Sequence, residues 1–313
     1  MCVTGFVITL SLWSKSMQKI QGLAEISGRY DGFILDIWGV LHQGSALYPG
    51  VHACLTELQA KGKQVWLLSN APRRPARTQA TLEGFGLPPT LYAGILTSGD
   101  LCRQYFVENT PKDDSLTPYV YVGPERDHGV NGLLNELPYR AVEDASKAAF
   151  AVVTGYPEIN GITAPGPLVG SDADNIVLPM LEQLLAANLT LYCANPDLVV
   201  PSQGRLIMCA GAIAKNYEKM GGKVHYFGKP HPAVFDNCMA IMKLPQEKLL
   251  MIGDTPETDI LGANRAGIDS LLVTCGALKD KLGTLGAQAS DSLQSLLDEA
   301  GATPTYVGSG LHW

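Results

Sequence analysis

The chain has 313 residues, 46% of them hydrophobic and 17% charged, with a formal net charge of -7. That length and apolar content exclude a disordered chain and predict a substantial core, divided between two domains or interrupted by a large insertion. The acidic balance, without a Lys/Arg cluster to track phosphates, argues against a nucleic acid polymer as partner but leaves room for a local site that takes a small anion.

The stretch 3–13 is apolar, too short to span a bilayer and preceded by no basic residue, so neither a membrane anchor nor a cleaved signal is expected. Folded grammar begins near Met17, and residues 1–16 read as an N-terminal extension. Seven cysteines are scattered without CxxC spacing, the usage of core thiols in a reducing cytosol, so a cytoplasmic location is expected.

From there the sequence alternates short apolar runs with helix-like segments, the pattern of parallel strands and crossover helices. Strands are predicted over 32–35 and 64–68, with helices over 51–61 and 75–83. Strands over 119–123, 149–154 and 189–193 then alternate with helices over 129–136 and 175–187. The last third has strands over 223–227, 249–252 and 270–273, and helices over 233–243, 259–266 and 293–299. Polar strand ends gather in two groups, 36–73 and 229–259, and ligands of open α/β sheets bind beyond carboxyl strand ends. We therefore expect an α/β fold with an open parallel-sheet core made of 17–96 and 217–313, and an inserted cap domain over 97–216.

Asp36 ends the first strand and precedes a Gly-containing turn, a place for a nucleophile, a metal ligand or a plain turn aspartate. Ser69 and Asn70 end the second strand, where hydroxyl, amide and backbone N–H groups either hold phosphate oxygens or cap the next helix. Lys229, between Gly228 and Pro230, is either a neutralising ammonium or a solvated one. The run from Gly253 to Asp259 is the strongest local signal. Asp254 at a strand end and Asp259 at the start of a helix offer oxygen ligands to a hard cation, and Asp259 also complements the helix N-terminus. Of the histidines, His42 lies nearest the Asp36 turn and His231 nearest Lys229. No GxxxxGK[ST], HExxH or GxSxG motif occurs.

In order, D-x-x-G-V at 36–40, S-N at 69–70, G-K-P at 228–230 and G-D-x-x-x-T-D at 253–259 resemble the four motifs of the haloacid dehalogenase superfamily. The stretch 229–275 is similar to its class IIA branch, which includes nucleotide, pyridoxal phosphate, phosphoglycolate and nitrophenyl phosphatases. "CANPDLVVP" at 193–201 resembles that branch's cap loop. The resemblance implies a Rossmann-like core, an α/β cap inserted after the second motif, and catalysis through an aspartyl-phosphate. It makes Asp36 the nucleophile and Lys229 the charge-neutralising residue, with Ser69, Asn70, Asn195 and Asp197 on the substrate. It places Mg²⁺ on Asp36, Asp254, Asp259 and the backbone carbonyl of Trp38, and it raises the expectation of a homodimer.

The departure is Trp38, which stands where relatives carry a general acid/base aspartate. Such a group contributes about 10²–10⁴-fold, roughly 3–5 kcal/mol of barrier. The expected function is a Mg²⁺-dependent phosphatase for a small phosphorylated metabolite, with His42, a cap residue or the substrate itself replacing the missing acid. The alternatives are phosphoryl transfer to a non-water acceptor and a catalytically weak ligand-binding homologue. Loops 155–170 and 209–212 are candidates for the cap surface that selects the substrate.

Overall fold

The computed structural model describes residues 17–110, 115–159, 162–163, 171–202, 205–282 and 289–313. The N-terminal extension 1–16 and part of the loop 155–170 lie outside the described residues. Among the described residues, no helix is long and apolar enough to cross a membrane.

The chain opens with β1 (Gln18–Lys19) and β2 (Gly32–Asp36), then α1 (Val51–Ala60), β3 (Gln64–Ser69), α2 (Pro75–Gly84), β4 (Gly94–Thr97) and α3 (Ser98–Glu108). It continues through β5 (Thr117–Val122), β6 (Tyr139–Ala141), β7 (Phe150–Val153), β8 (Glu158–Ile159), β9 (Ile162–Thr163), α4 (Ser171–Ala186), β10 (Thr190–Cys193), β11 (Val199–Ser202), β12 (Arg205–Met208), α5 (Ala210–Lys219) and β13 (Lys223–Tyr226). The last third is α6 (Pro232–Met242), β14 (Leu249–Gly253), α7 (Leu261–Ala266), β15 (Asp269–Val273), α8 (Lys279–Leu282), α9 (Ala289–Ala300) and β16 (Tyr306–Gly308).

Seven strands form a sheet in the order β1-β16-β15-β14-β2-β3-β4, and every pairing in it is parallel. The central strands β2 and β14 are buried at every position, which is why both read as unbroken apolar runs rather than alternating ones. Side chains still point alternately to the two faces. Phe33 and Leu35 pack with Cys54, Leu55 and Leu58 of α1, whereas Ile34 and Met251 pack with Val234, Phe235 and Cys238 of α6. Helices thus cover both faces of the sheet, and β2 ends on the polar residue Asp36 with Asp254 just beyond β14.

A second parallel sheet, β13-β10-β7-β5-β6, forms the cap. One face carries α4 and α5, whose Val177, Leu181, Leu184, Ile213 and Tyr217 cluster with Val120, Ala151 and Leu191. The other face turns aromatic side chains toward the core: Phe150 stacks on Phe106 of α3 at 4.7 Å, and Tyr105 meets Tyr192 at 5.3 Å.

Two expectations are corrected. The cap does not end at 216, because β13 pairs with β10 over Lys223–Tyr226 and so carries the cap sheet almost to Gly228. The helix expected over 129–136 is only a short 3-10 turn at Gly129–Asn131 followed by further turns. Gly129 and Gly132 interrupt the apolar spacing, and Gly129 adopts a positive φ of 57°. The strand β4 and helix α3 were missed. Their signal is Thr97-Ser98-Gly99-Asp100, an N-cap pattern in which the Thr97 hydroxyl accepts from the Asp100 N–H at 3.0 Å.

Candidate active site

Neighbouring strands with parallel register must end side by side. Asp36 at the end of β2 and Asp254 just beyond β14 therefore open onto one point. After β14 the chain makes a single π-helical turn over Pro256–Ile260, and this wide turn folds Asp259 back. Its Oδ2 accepts from the N–H groups of Asp254 and Thr255, each at 3.1 Å. Carboxylate oxygens of Asp36, Asp254 and Asp259 all lie within 4.8 Å of one another. The three residues are 7%, 2% and 1% exposed.

Lys229 enters from the return of the chain out of the cap and is 2% exposed. Its Nζ lies 2.5 Å from Asp36 Oδ1 and 2.7 Å from Asp259 Oδ1. Burial acts to lower its pKa, but Asp259 and Asp36 outweigh that and hold the ammonium above its ordinary range. Asp36 is pushed well above the usual carboxylate range by burial, with Lys229 pulling the other way and Asp259 and Asp254 adding to the rise. Asp254 is pushed up to about 7 by burial and by Asp259, although the Ala277 N–H and Thr255 hydroxyl stabilise its charge.

With all three carboxylates ionised, one ammonium leaves two units of negative charge in a buried place, and burial together with the neighbouring carboxylates raises Asp36 and Asp254 when nothing further compensates. Each buried ion costs several kcal/mol of desolvation unless it is compensated, and a divalent cation would close the balance. Three convergent oxygen donors with no sulfur or imidazole are the ligand set of a hard cation. The glycines around the site serve the same end. A Cβ on Gly39 (φ 86°) or on Gly276 would run into the Asp254 carboxylate, and one on Gly253 would strike Asp259.

Asn70 is the hinge of the site. Its Oδ1 accepts from the Lys229 N–H at 2.8 Å and from the Ser98 hydroxyl at 3.2 Å. Its Nδ2 donates to the Lys229 carbonyl at 2.9 Å and to Asp197 Oδ1 at 2.8 Å. Two donors and two acceptors exhaust a side-chain amide. Asn70, expected on the substrate, thus spends its side chain on fixing Lys229 and on receiving the cap loop. Gly228 (φ 105°) makes this clamp fit, since a Cβ there would collide with Ser98 and Asn70.

The other expected residues divide. Ser69 sits at the end of β3 beside the clamp, its hydroxyl accepting from the Ala71 N–H at 3.2 Å. Asn195 is turned inward to shape its own loop, its Oδ1 accepting from the Asp197 N–H at 3.0 Å. Trp38 packs edge-on against His42 and covers Gly44, with its indole N–H buried and lacking an acceptor among the described residues. The turn is closed by Gly39 N–H to the His42 carbonyl and His42 N–H to the Ile37 carbonyl, and neither bond uses the Trp38 carbonyl. His42 is no acid for this site: it is wedged between Trp38 and Phe85, and its Nδ1 accepts from the Gly44 N–H at 2.9 Å. Burial lowers its pKa to about 4, so the ring is neutral at pH 7. His231 stacks on Tyr226 beside the cap sheet and makes no contact with the carboxylates among the described residues.

Sequence reasoning missed the seam between cap and core. Asp127 of the cap, 3% exposed, receives Arg73 and Arg77 at 3.2 Å each and Arg126 at 3.7 Å. The pair Arg73-Arg74 next to Ser69-Asn70 was the available signal.

Comparisons with known proteins point to one family of hydrolases. Family models described as haloacid dehalogenase-like hydrolase match residues 33–127 and 168–267, and one described as HAD-hydrolase-like matches 226–310. Chronophin of Bos taurus is 27% identical over 281 residues, covering 83% of this chain and 86% of its own. The ribonucleotide monophosphatase NagD of Escherichia coli (strain K12) is 25% identical over 252 residues, covering 78% and 87%. Among solved structures, a haloacid dehalogenase-like hydrolase from Brucella suis 1330 superposes with a TM-score of 0.75 at 29% identity, over 93% of this chain and 99% of that one.

Two outcomes follow from the charge arrangement. Lys229→Met removes the only cation of the cluster and lowers the stability of the metal-free protein by about 3 kcal/mol; urea denaturation reads this as a lower midpoint, and an unchanged midpoint contradicts it. His42, neutral in the fold, stabilises the protein above pH 6.5, its ordinary value, and that stability is lost as the pH falls toward 4. An NMR titration of the His42 ring should give a midpoint near 4, and one near 6.5 would show an open ring.

Proposed function

The chain belongs to the haloacid dehalogenase superfamily, and we propose that within it the protein is a Mg²⁺-dependent phosphatase of the class IIA type, acting on a small phosphorylated metabolite. The observation that carries this reading is the Asp36 carboxylate held against the Lys229 ammonium at 2.5 Å, with Asp254 and Asp259 converging beside it at the carboxyl ends of parallel strands. A nucleophilic carboxylate must be ionised, and burial alone opposes that here. Lys229 and the charge of a bound cation would restore it.

Asp36, Asp254, Asp259 and the Trp38 carbonyl would hold Mg²⁺, which when bound supplies positive charge for the transferring phosphoryl oxygens. Asp36 attacks phosphorus and forms an aspartyl-phosphate, while Lys229 stabilises the charge that builds up on the phosphoryl group. Water then releases inorganic phosphate. In this reading Ser69, at the end of β3, would donate its hydroxyl to phosphate, and the cap loop around Asn195 and Asp197 would cover it. The name of the Escherichia coli relative, a ribonucleotide monophosphatase, supports a phosphomonoester of metabolite size. The described cysteines are all unpaired thiols, five of them buried, which fits a reducing, cytoplasmic compartment.

A second reading rests on Trp38. An indole cannot give up a proton, so a slow enzyme or a phosphoester-binding homologue is the form the protein takes if no other group carries protons.

The test is a panel of phosphorylated metabolites and p-nitrophenyl phosphate with Mg²⁺. The wild type should release inorganic phosphate, and chelation of the metal should stop it. Asp36→Asn should cut turnover by about 10³-fold or more and leave no acid-stable phosphoenzyme. Undiminished turnover in that variant contradicts the mechanism, and no turnover by the wild type favours the binding reading.

A further inference from the structure

A phosphomonoesterase must protonate its leaving group and later deprotonate a water, and the groups facing Asp36 do not supply that proton. Those whose charge reaches it are Lys229, Asp259 and Asp254. The first is a cation held above its ordinary range, and the other two belong to the cation site. Trp38 has no exchangeable acid, and His42 is neutral and engaged with its own turn. A further carboxyl group reaches the clamp on Lys229 from the cap, that of Asp197 on Asn70.

Asp197 lies in the loop between β10 and β11, and three contacts fix its direction. Its N–H is held by Asn195 Oδ1 at 3.0 Å, and its carbonyl accepts from the Gly211 N–H at 3.1 Å. Gly211 permits this approach, since a Cβ there would strike the Pro196 carbonyl. Across the seam, Asp197 Oδ1 accepts from Asn70 Nδ2 at 2.8 Å. That same amide grips both backbone polar groups of Lys229, so Asp197 and Asp36 are anchored to one rigid unit. Asn70 engages Oδ1, and among the described residues no hydrogen bond occupies Oδ2, which is available for a proton.

We propose that Asp197 is the proton carrier of the reaction, delivered to the site by the cap. The inference rests on the phosphatase reading above. Burial raises the Asp197 carboxyl, and Asn70 and Lys229 pull it back only in part. The titratable groups that face it are Lys229 and Asp259 from the core and the thiols of Cys193 and Cys209 from the cap. In the first step Asp36 forms a bond to phosphorus, the bond from phosphorus to the ester oxygen breaks, and the Asp197 proton goes to that oxygen to give the free alcohol. In the second step the Asp197 carboxylate takes a proton from water. The water oxygen bonds to phosphorus, the bond to Asp36 breaks, and Asp36 and a protonated Asp197 are regenerated with inorganic phosphate.

The experiment compares Asp197→Asn with wild type on an alkyl phosphate and on p-nitrophenyl phosphate, whose leaving group departs without a proton. Asparagine keeps the shape and a hydrogen bond but carries no proton. The expected result is a kcat loss of about 10²–10³-fold on the alkyl ester. On p-nitrophenyl phosphate, a rapid burst of p-nitrophenol should be followed by slow turnover, because phosphorylation survives and hydrolysis does not. Asp197→Glu should recover part of both, with the alkaline limb of the pH profile that Asp197→Asn lacks. An equal loss on both esters with no burst and no recovery by glutamate would show that Asp197 only positions the cap, and would overturn the inference while leaving the phosphatase reading intact. A wild type inert on both esters overturns the two together.

Discussion

One buried ammonium surrounded by three buried carboxylates is the constraint from which the rest of the site follows. At an effective dielectric constant of about 20, unit charges about 4 Å apart interact by roughly 4 kcal/mol, so placing them is costly in either direction. The fold makes the arrangement unavoidable. Parallel pairing of β2 with β14 brings Asp36 and Asp254 together, the π-helical turn returns Asp259, and three glycines remove the Cβ atoms that would keep the carboxylates apart. Lys229 offsets part of the charge of the ionised cluster, and a dication would close the balance.

Asn70 extends this constraint to the cap. By saturating its amide on Lys229, Ser98 and Asp197, it ties the outgoing chain at α3, the returning chain at Gly228 and the cap loop to the end of β3. A second fastening joins core to cap through the Arg73 and Arg77 guanidiniums on buried Asp127. The clamp on Lys229 is thus joined to the cap, which suits the proposed phosphoryl chemistry in a site sheltered from bulk water.

Much of the core was legible in the sequence because buried parallel strands leave uninterrupted apolar runs that stop at polar turns. Those at 32–35, 64–68, 249–252 and 270–273 mark β2, β3, β14 and β15 within a residue or two. Asp36, Lys229 and Asp254 were singled out the same way, by lying where such runs end, and Asp259 by its place at the start of the next helix; the structure brings all four together. Asn70 was read as a phosphate ligand because its partners, Asp197 and Lys229, lie more than a hundred residues away and leave no local trace. His42 looked like an acid because it is close in sequence, and only packing against Phe85 shows where the ring goes. The end of the cap was misplaced for a related reason: β13 has strand-like residues either way, and only pairing with β10 assigns it to the cap.

Trp38 alters what the site can do without altering what it is. Its side chain is given over to packing on His42 and Gly44, and a backbone carbonyl does not depend on the side chain that accompanies it. Proton transfer then has to come from elsewhere, and the three carboxylates keep their one common demand for positive charge. Calorimetric titration of Mg²⁺ into the metal-free protein at neutral pH tests that demand most directly. Saturable binding of one ion per chain, abolished by Asp254→Asn, is the predicted result. No saturable binding, or identical binding in that variant, would contradict a site built around a divalent cation.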